Sequence, residues 1–426
     1  MSQSLTQQEQ EKLAIINQTL SGELTKAQAA TMLGISTRQV KRIKSKVREQ
    51  GAIAVVHKLK GRVSNHRIDH TIKEKALKTI KEQYTDFKPT FATEKLAAEH
   101  GIVLDPETTR LWMIENNLWK SRKQKQTTYH SWRPRKDYFG EMEQFDGSYH
   151  YWFENRYCDE EGNPIEICLL AAIDDATSQV TKAMFAPNEG VIAVLLFWKE
   201  YSEKHGKPVS LYLDKFSTYK INHKHAMDNT ELMTQFQRVL QTLGIQRILA
   251  HSPQAKGRIE RLFQTLQDRL VKELRLAKIN TPADGNIFLN DIFLPGFNEQ
   301  FAVIPAKTGD VHRPLRQEEK ATMDHIFSIH NQRRINLDFT IQFKNHWYQL
   351  TEIQPTTVRP LEQVTIATWL DGTIHIFLKN HELAYVLLSE KPKRQRIRQP
   401  IILTTHTLNY KPPPDHPWRR LFKRRS

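Results

Sequence analysis

The sequence predicts a multidomain chain: N-terminal all-α helix-turn-helix modules, a central α/β core built on a mixed five-stranded sheet, and a small all-β barrel near the C-terminal end. Three observations lead there. Apolar spacing is helical up to about residue 118, becomes strand-like from Glu141 with helices interspersed to Leu276, and returns to strict alternation from Ile335. The charge divides along similar lines. Residues 1–140 hold 26 Lys and Arg against 14 Asp and Glu, residues 141–330 hold 21 against 26, and residues 331–426 hold 16 against 7, within a net +16. Basic flanks suit a phosphate-rich partner, and an acidic middle suits bound divalent cations.

Composition excludes several classes. The 426 residues contain no run of 18 or more apolar positions, so no membrane partner is expected. The start MSQSLTQQEQEKL lacks the basic-then-apolar order of a signal peptide, and Cys158 and Cys168 are too few for a disulfide framework or a Cys-rich zinc module. A cytoplasmic setting is expected. His223 and His225 in INHKHAMD could bind a metal weakly, but are expected to hold none.

The first module, residues 1–57, carries LTKAQAATMLGISTRQVKRIKSKVREQG. Thr25 can cap a short helix that ends near Gly34, and Ser36 can cap the next. Ala29, Leu33, Ile35 and Val40 then share a small core, leaving Arg38, Gln39, Lys41 and Arg42 outward to meet a DNA major groove. A basic linker, 58–70, leads to a second helix-turn-helix pattern at 71–125. Gly101 ends one helix there and Asp105-Pro106 begins another. Thr108, Thr109 and Arg110 are expected on its exposed early face, with Leu111, Trp112 and Leu118 in its core. Across the next linker, 126–139, the segment KSRKQKQTTYHSWRPRK places seven basic residues among 17, interleaved with aromatics, as a DNA-tracking strand would.

The core, 140–290, begins with strands in QFDGSYHYWF, IEICLLAAI and QVTKAMFA. The helix VIAVLLFWKEYSEKHG, the strand VSLYLD, a helix ending at Leu243-Gly244, the short strand IQRILA and a final helix in HSPQAKGRIERLFQTLQDRL complete the order β-β-β-α-β-α-β-α. Alternation puts Asp146, Ser148 and His150 on the opposite face of the first strand from Phe145 and Tyr149, while Asp214 ends the buried strand VSLYLD. A carboxylate at that position is costly unless paired or bound to a cation. Glu260 stands among Lys256, Arg258 and Arg261, and an i,i+4 pair with Lys256 is the plain structural explanation. Asp174 and Asp175 fall in a turn, where Asp is favoured for its backbone hydrogen bonds, and are expected to be structural.

Asp146, Asp214 and Glu260, on a first strand, a fourth strand and a helix, together resemble the DDE superfamily. The segments LYLDKF, AHSPQAKGRIERLFQTLQDRLVKELRLAKI and NEQFAVIP…DVHRPL resemble the ISNCY group of bacterial insertion-sequence transposases within it. The resemblance implies a ribonuclease H-like fold for the core and a polynucleotidyl transferase acting on double-stranded DNA, at transposon ends and target, near the bacterial nucleoid. It implies that Asp146, Asp214 and Glu260 hold two Mg²⁺ ions, for which Mn²⁺ can substitute, and that the chain works as a homodimer or higher oligomer on DNA. Lys256, Arg258 and Gln264 would then reach DNA phosphates, while Ile259, Leu262, Phe263, Leu266 and Leu270 bury. DKFSTY departs from common relatives and leaves Lys215 without an assigned role.

A connector, 291–330, precedes the expected barrel at 331–390, whose strands are read in LDFTIQF, HWYQL, QVTIATWL and IHIFL, with a turn at Asp371-Gly372. A basic tail, 391–426, would bind phosphate. A DNA-binding regulator, or a domesticated relative without activity, would share the basic helical modules; retention of all three acids argues for the enzyme.

Overall fold

The computed structural model describes residues 5–57, 68–121, 133–213, 226–249, 257–389, 411 and 413–417. The chain divides into two compact units, residues 1–126 and 127–426.

The first unit is helical. Helices α1 (Gln7–Ser21), α2 (Lys26–Leu33) and α3 (Thr37–Gln50) lead into a 3₁₀ turn (Gly51–Val55). Thr25 caps α2 in a capping box with Gln28, Gly34 ends it with φ +62°, and Ser36 caps α3 through the amide of Gln39. The tight turn packs Ala29, Val40 and Val47 against Ile16 of α1, with Leu33 and Ile35 at the edge of the cluster. Arg38, Gln39, Lys41 and Arg42 are consequently left exposed along α3. Helix α1 is absent from the sequence reading.

Helices α4 (His70–Gln83), α5 (Pro89–His100) and α6 (Pro106–Glu115) follow, with α5 ending on left-handed Gly101 and α6 capped by Asp105. The sequence placed the wrong stripe of α6 inside. Thr109 and Met113, one helical turn apart, are fully buried, and Leu111 is 53% exposed. Thr109 therefore belongs to the inner face, not the exposed one, and its hydroxyl donates to the Asp105 carbonyl (3.4 Å). Thr108 is half-buried, and Arg110, also half-buried, is forked onto Glu107.

In the second unit five strands, β1 (Met142–His150), β2 (Ile167–Asp174), β3 (Val180–Ala186), β4 (Ser210–Leu213) and β5 (Gln246–Leu249), form one sheet in the order β3-β2-β1-β4-β5. The pairs β1–β2 and β2–β3 are antiparallel, whereas β1–β4 and β4–β5 are parallel, so the sheet is mixed as expected. Helices α7 (Val191–His205) and α8 (Ala226–Leu243) cover one face, where Phe145, Trp198 and Phe236 meet. Helix α9 (Gly257–Leu276) covers the other, burying Ile259, Leu262, Phe263, Leu266 and Leu270 against Leu169, Ala171 and Ile173. That stripe is the one its 3.6-residue spacing predicted.

Beyond α9, α10 (Pro282–Phe288), a π-helical turn (Leu289–Phe293) and α11 (Leu294–Phe301) run past the edge strand β3. The Asn286 side chain pairs with both backbone groups of Phe185 (2.7 and 3.1 Å), and Asn298 does the same for Val180 (2.8 and 2.9 Å). These asparagines satisfy edge groups that would otherwise invite another strand. The chain then returns along the core through bridges Phe139–Asp310 and Lys207–Arg313 into the short helices α12 (Gln317–Ala321) and α13 (Met323–Ile326).

The C-terminal strands β6 (Ile329–Arg334), β7 (Thr340–Phe343), β8 (His346–Leu350), β9 (Gln363–Thr368), β10 (Ile374–Leu378), β11 (His381–Leu383) and β12 (Tyr385–Leu388) do not close into a barrel. They form two open sheets, β11-β10-β9-β6 and β12-β8-β7, around one core that includes Ile341, Phe343, Leu350, Ile366 and Ile376. Alternation states only that one face of each strand is buried. Two sheets packed face to face meet that need as well as a closed barrel does.

Candidate carboxylate site on the central strand

Asp146 lies in the middle of β1, opposite Ala171 of β2, and is half-buried. Ala171 packs in the α9-side core, so the pleat directs Gln144, Asp146 and Ser148 toward α9. Two hydrogen bonds fix how the helix lies on this face. The Ile259 amide donates to Gln144 Oε1 (3.4 Å), and Gln267 Nε2 donates to Ser148 Oγ (3.2 Å). The four steps along the strand from Gln144 to Ser148 span about 13 Å, and the eight steps along the helix from Ile259 to Gln267 span about 12 Å. Helix and strand therefore run side by side in step, with Asp146 beside the first two turns of α9.

Glu260 is in the first of those turns and is exposed, as is Gln264 one turn further on. Glu260, Gln264 and Gln267 form one i, i+4, i+7 stripe, and Gln267 is the member that reaches β1. The structure thus brings the stripe bearing Glu260 to the strand face bearing Asp146. Asp214 and Lys256 lie outside the described residues, as do Lys215, His223 and His225; the described part of β4 ends at Leu213, directly before Asp214 in sequence. Among the described residues no three His, Cys, Asp or Glu side chains are grouped so as to hold a metal ion.

Arg258, read from the sequence as a residue that reaches DNA phosphate, is turned inward in the structure. Its side chain is 14% exposed and its Nη1 donates to Asp175 Oδ1 (2.7 Å). Burial pushes the guanidinium pKa down and the Asp175 carboxylate pulls it back up, with Arg135, Arg133 and Arg261 near enough to oppose the charge. Asp175 itself is fully buried and accepts from Arg133, from the Lys136 amide (2.9 Å) and from Gln144 Nε2 (2.7 Å) as well. Asp174 accepts from the Gly140 amide (3.0 Å) and from both donors of Thr177 (2.7 Å each). Both carboxylates in the β2–β3 turn are satisfied by protein donors, which leaves them structural.

Gln144 and Gln267 have no signal of their own in the sequence; Ser148 is legible only as sharing the Asp146 face of its strand, and Arg133 only as one of the basic residues of the segment at 120–136. The pair Asp175–Arg258 joins positions 83 apart, and nothing in either local pattern announces it. On the opposite face of the sheet Glu143 is buried, with Thr181 Oγ1 donating to its Oε2 (2.8 Å). Burial and the neighbouring Asp174 push the Glu143 carboxyl well above the usual range.

Residues 11–62 match a family described as Helix-turn-helix domain, which sets the class: a protein with an N-terminal helix-turn-helix ahead of an α/β core. Over 406 residues the chain is 36% identical to the "Putative transposase y4bF" of Sinorhizobium fredii, covering 95% of this chain and 86% of that protein. It is also 28% identical over 458 residues to the "Transposase for insertion sequence IS1202" of Streptococcus pneumoniae, covering 96% and 93%. The chain belongs to this family of transposases. Among solved structures, a simian T-cell lymphotropic virus intasome in complex with PP2A regulatory subunit B56 gamma matches with a TM-score of 0.30 and 12% identity, over 73% of this chain and 99% of that one.

Proposed function

We propose that this protein binds the ends of an insertion sequence, hydrolyses a phosphodiester bond at each end, and joins the freed 3′-OH to target DNA, with Asp146, Asp214 and Glu260 as the catalytic carboxylates. The observation that carries this reading is the step-for-step run of α9 along β1, which sets the Glu260 stripe beside Asp146. Membership of a transposase family supports this reading.

A donor set of carboxylate oxygens fits a hard cation such as Mg²⁺, with Mn²⁺ able to replace it. When bound, two such ions would neutralise charge on the scissile phosphate and lower the pKa of the attacking water or 3′-OH. The chain's own part is to hold Asp146 on a rigid central strand and Glu260 on a helix packed against it. Gln264, exposed in the same stripe, would contact the DNA backbone, and Lys256 is proposed as a second contact. Arg258 would act from inside.

Arg38, Gln39, Lys41 and Arg42 on the outer face of α3 would read the end sequence in the major groove, with Thr108 and Arg110 of α6 assisting. Residues 1–57 and 71–125 are proposed as two separate DNA-binding domains, 140–290 as the catalytic core, and the protein as at least a dimer when two ends are brought together. The proposed setting is the bacterial cytoplasm, at the nucleoid. No helix among the described residues is long and apolar enough to cross a membrane.

Purified protein incubated with end-bearing DNA tests the reaction. The expected products are 3′-OH ends and strand-transfer species that form with Mg²⁺ and vanish with EDTA. A covalent protein–DNA adduct, or cleavage in EDTA, would contradict it.

A further inference from the structure

Three elements that carry the proposed carboxylates are tied together one step behind them. Gln144, Tyr212 and Arg258 each stand two residues before Asp146, Asp214 and Glu260 in sequence. Gln144 and Tyr212 are direct neighbours in the β1–β4 register. Gln144 Nε2 and Arg258 Nη1 both donate to the same oxygen of Asp175, each at 2.7 Å. The other end of the Gln144 amide accepts from the Ile259 amide, at the first turn of α9. Arg133, itself bonded to Asp175, lies over the Tyr212 ring with its guanidinium carbon 5.4 Å from the centroid.

We propose that Asp175 is a positioning residue: the hub of a buried brace, with Gln144, Arg258 and Arg133, that fixes the start of α9 against β1 and β4 and so sets Glu260 relative to the strand carboxylates. The inference rests on the proposed catalytic roles of those carboxylates. The physical reason is that the first turn of a helix has amides without intrahelical partners and frays unless they are held. Here the Ile259 amide is held by Gln144, and the adjacent Arg258 anchors the turn from its side chain. Asp175 is well suited to the hub because a carboxylate can accept from several donors at once, and its burial makes those bonds hard to exchange for water. Loss of the hub would let Glu260 wander, and small displacements of a catalytic group are expensive in rate.

The test uses the full-length protein with Arg258→Gln, Arg258→Lys and Gln144→Met, the last removing both amide bonds at similar volume. Hydrogen exchange is followed at the Ile259 amide without metal, and kcat and KM for end DNA are followed with Mg²⁺. The brace predicts faster exchange at Ile259 with the α9 interior unchanged, and kcat lower by roughly tenfold or more with KM for DNA little altered. Arg258→Lys, which keeps the charge beside Asp175, should recover part of kcat. If Arg258→Gln does not fold, Gln144→Met must show the same local exchange and kcat effects for the proposal to stand. Unchanged Ile259 exchange in a folded variant overturns it, and so does a raised KM with kcat intact, which would make Arg258 a DNA contact. A parallel Glu260→Gln protein separates the two levels: wild-type cleavage by Glu260→Gln sinks the catalytic assignment, while Ile259 exchange still judges the brace.

Discussion

Glu319→Gln removes the anion from a buried ion pair that fastens α12 to the core. Lys207 Nζ donates to both carboxylate oxygens (2.8 and 2.6 Å), and the two side chains are only 7% and 5% exposed. The Arg316 amide (2.8 Å) and guanidinium (3.0 and 2.8 Å) complete the carboxylate's shell. Burial alone would raise the Glu319 pKa, but the Lys207 ammonium and the Arg316 donors outweigh it and hold the group at about 2, against an ordinary 4.5. That difference corresponds to roughly 3 kcal/mol of stability. Because the folded value is depressed, the contribution is complete above about pH 4.5 and is lost as pH falls toward 2. Urea unfolding of wild type and variant at pH 7, 5 and 3, followed for the transition of residues 127–426, should give a gap of about 3 kcal/mol at pH 7. The gap can reach about 5 if Lys207 is left as an unpaired buried charge. It should narrow by pH 3. A gap that is the same at pH 7 and pH 3, or below about 1 kcal/mol at pH 7, would refute the argument.

Three further outcomes are expected. Glu143→Gln should be neutral or stabilising, because burial and Asp174 raise the Glu143 pKa, against the Thr181 and Tyr201 hydroxyls that lower it, and its Oε1 is buried with no well-aligned hydrogen-bond partner among the described residues. A raised carboxyl pKa costs stability as pH climbs past the ordinary value, so the variant's advantage in urea should grow between pH 5 and 8; a constant difference would contradict this. Leu266→Ala, at a fully buried position of α9, should lower stability by about 2–5 kcal/mol by leaving a cavity, measured by the same unfolding, and a loss under 1 kcal/mol would mean α9 is loosely packed. Arg42→Ala, on the exposed face of α3, should weaken end binding by about 1–3 kcal/mol and relax the preference for the end over random DNA at the same salt. Unchanged affinity and preference would remove Arg42 from the sequence-reading face.

Much of this architecture is written in short-range signals. Thr25, Gly34 and Ser36 mark the ends of α2 and the start of α3 because capping chemistry is local, and the apolar stripe of α9 follows from its period alone. Strand order was less accessible, since β1 pairs with β4 across an intervening α7 and only the alternation of strands with helices hints at it. Helix α1 was overlooked although Thr6 and Glu9 make a capping box, because QQEQEKL offers few apolar residues to count. In α6 the period was right and the phase wrong: Leu111 and Trp112 are more apolar than Thr109, yet Thr109 lies on the inner face with Met113. For the proposed site, Asp146 and Glu260 stand out in the sequence as acids in unusual company, and their proposed role rests on the resemblance. The inward pairing of Arg258 has no local signal, because its neighbours in sequence are basic and its partner Asp175 comes from a distant turn. Alternation marks β7, β8, β9 and β10 but not β6, β11 or β12, and whether sheets close depends on which edges pair, about which alternation carries no information.

The most direct measurement is the rate of Mg²⁺-dependent end cleavage by Asp146→Asn, taken with end-binding affinity on the same preparation. The substitution keeps the side chain's size on β1 and removes its charge. If Asp146 and Glu260 form one carboxylate site along the β1–α9 contact, cleavage should fall below detection while binding through the helix-turn-helix module stays within about twofold, a change of under half a kcal/mol. Wild-type cleavage by Asp146→Asn would contradict the account at its centre and move the chemistry away from this strand.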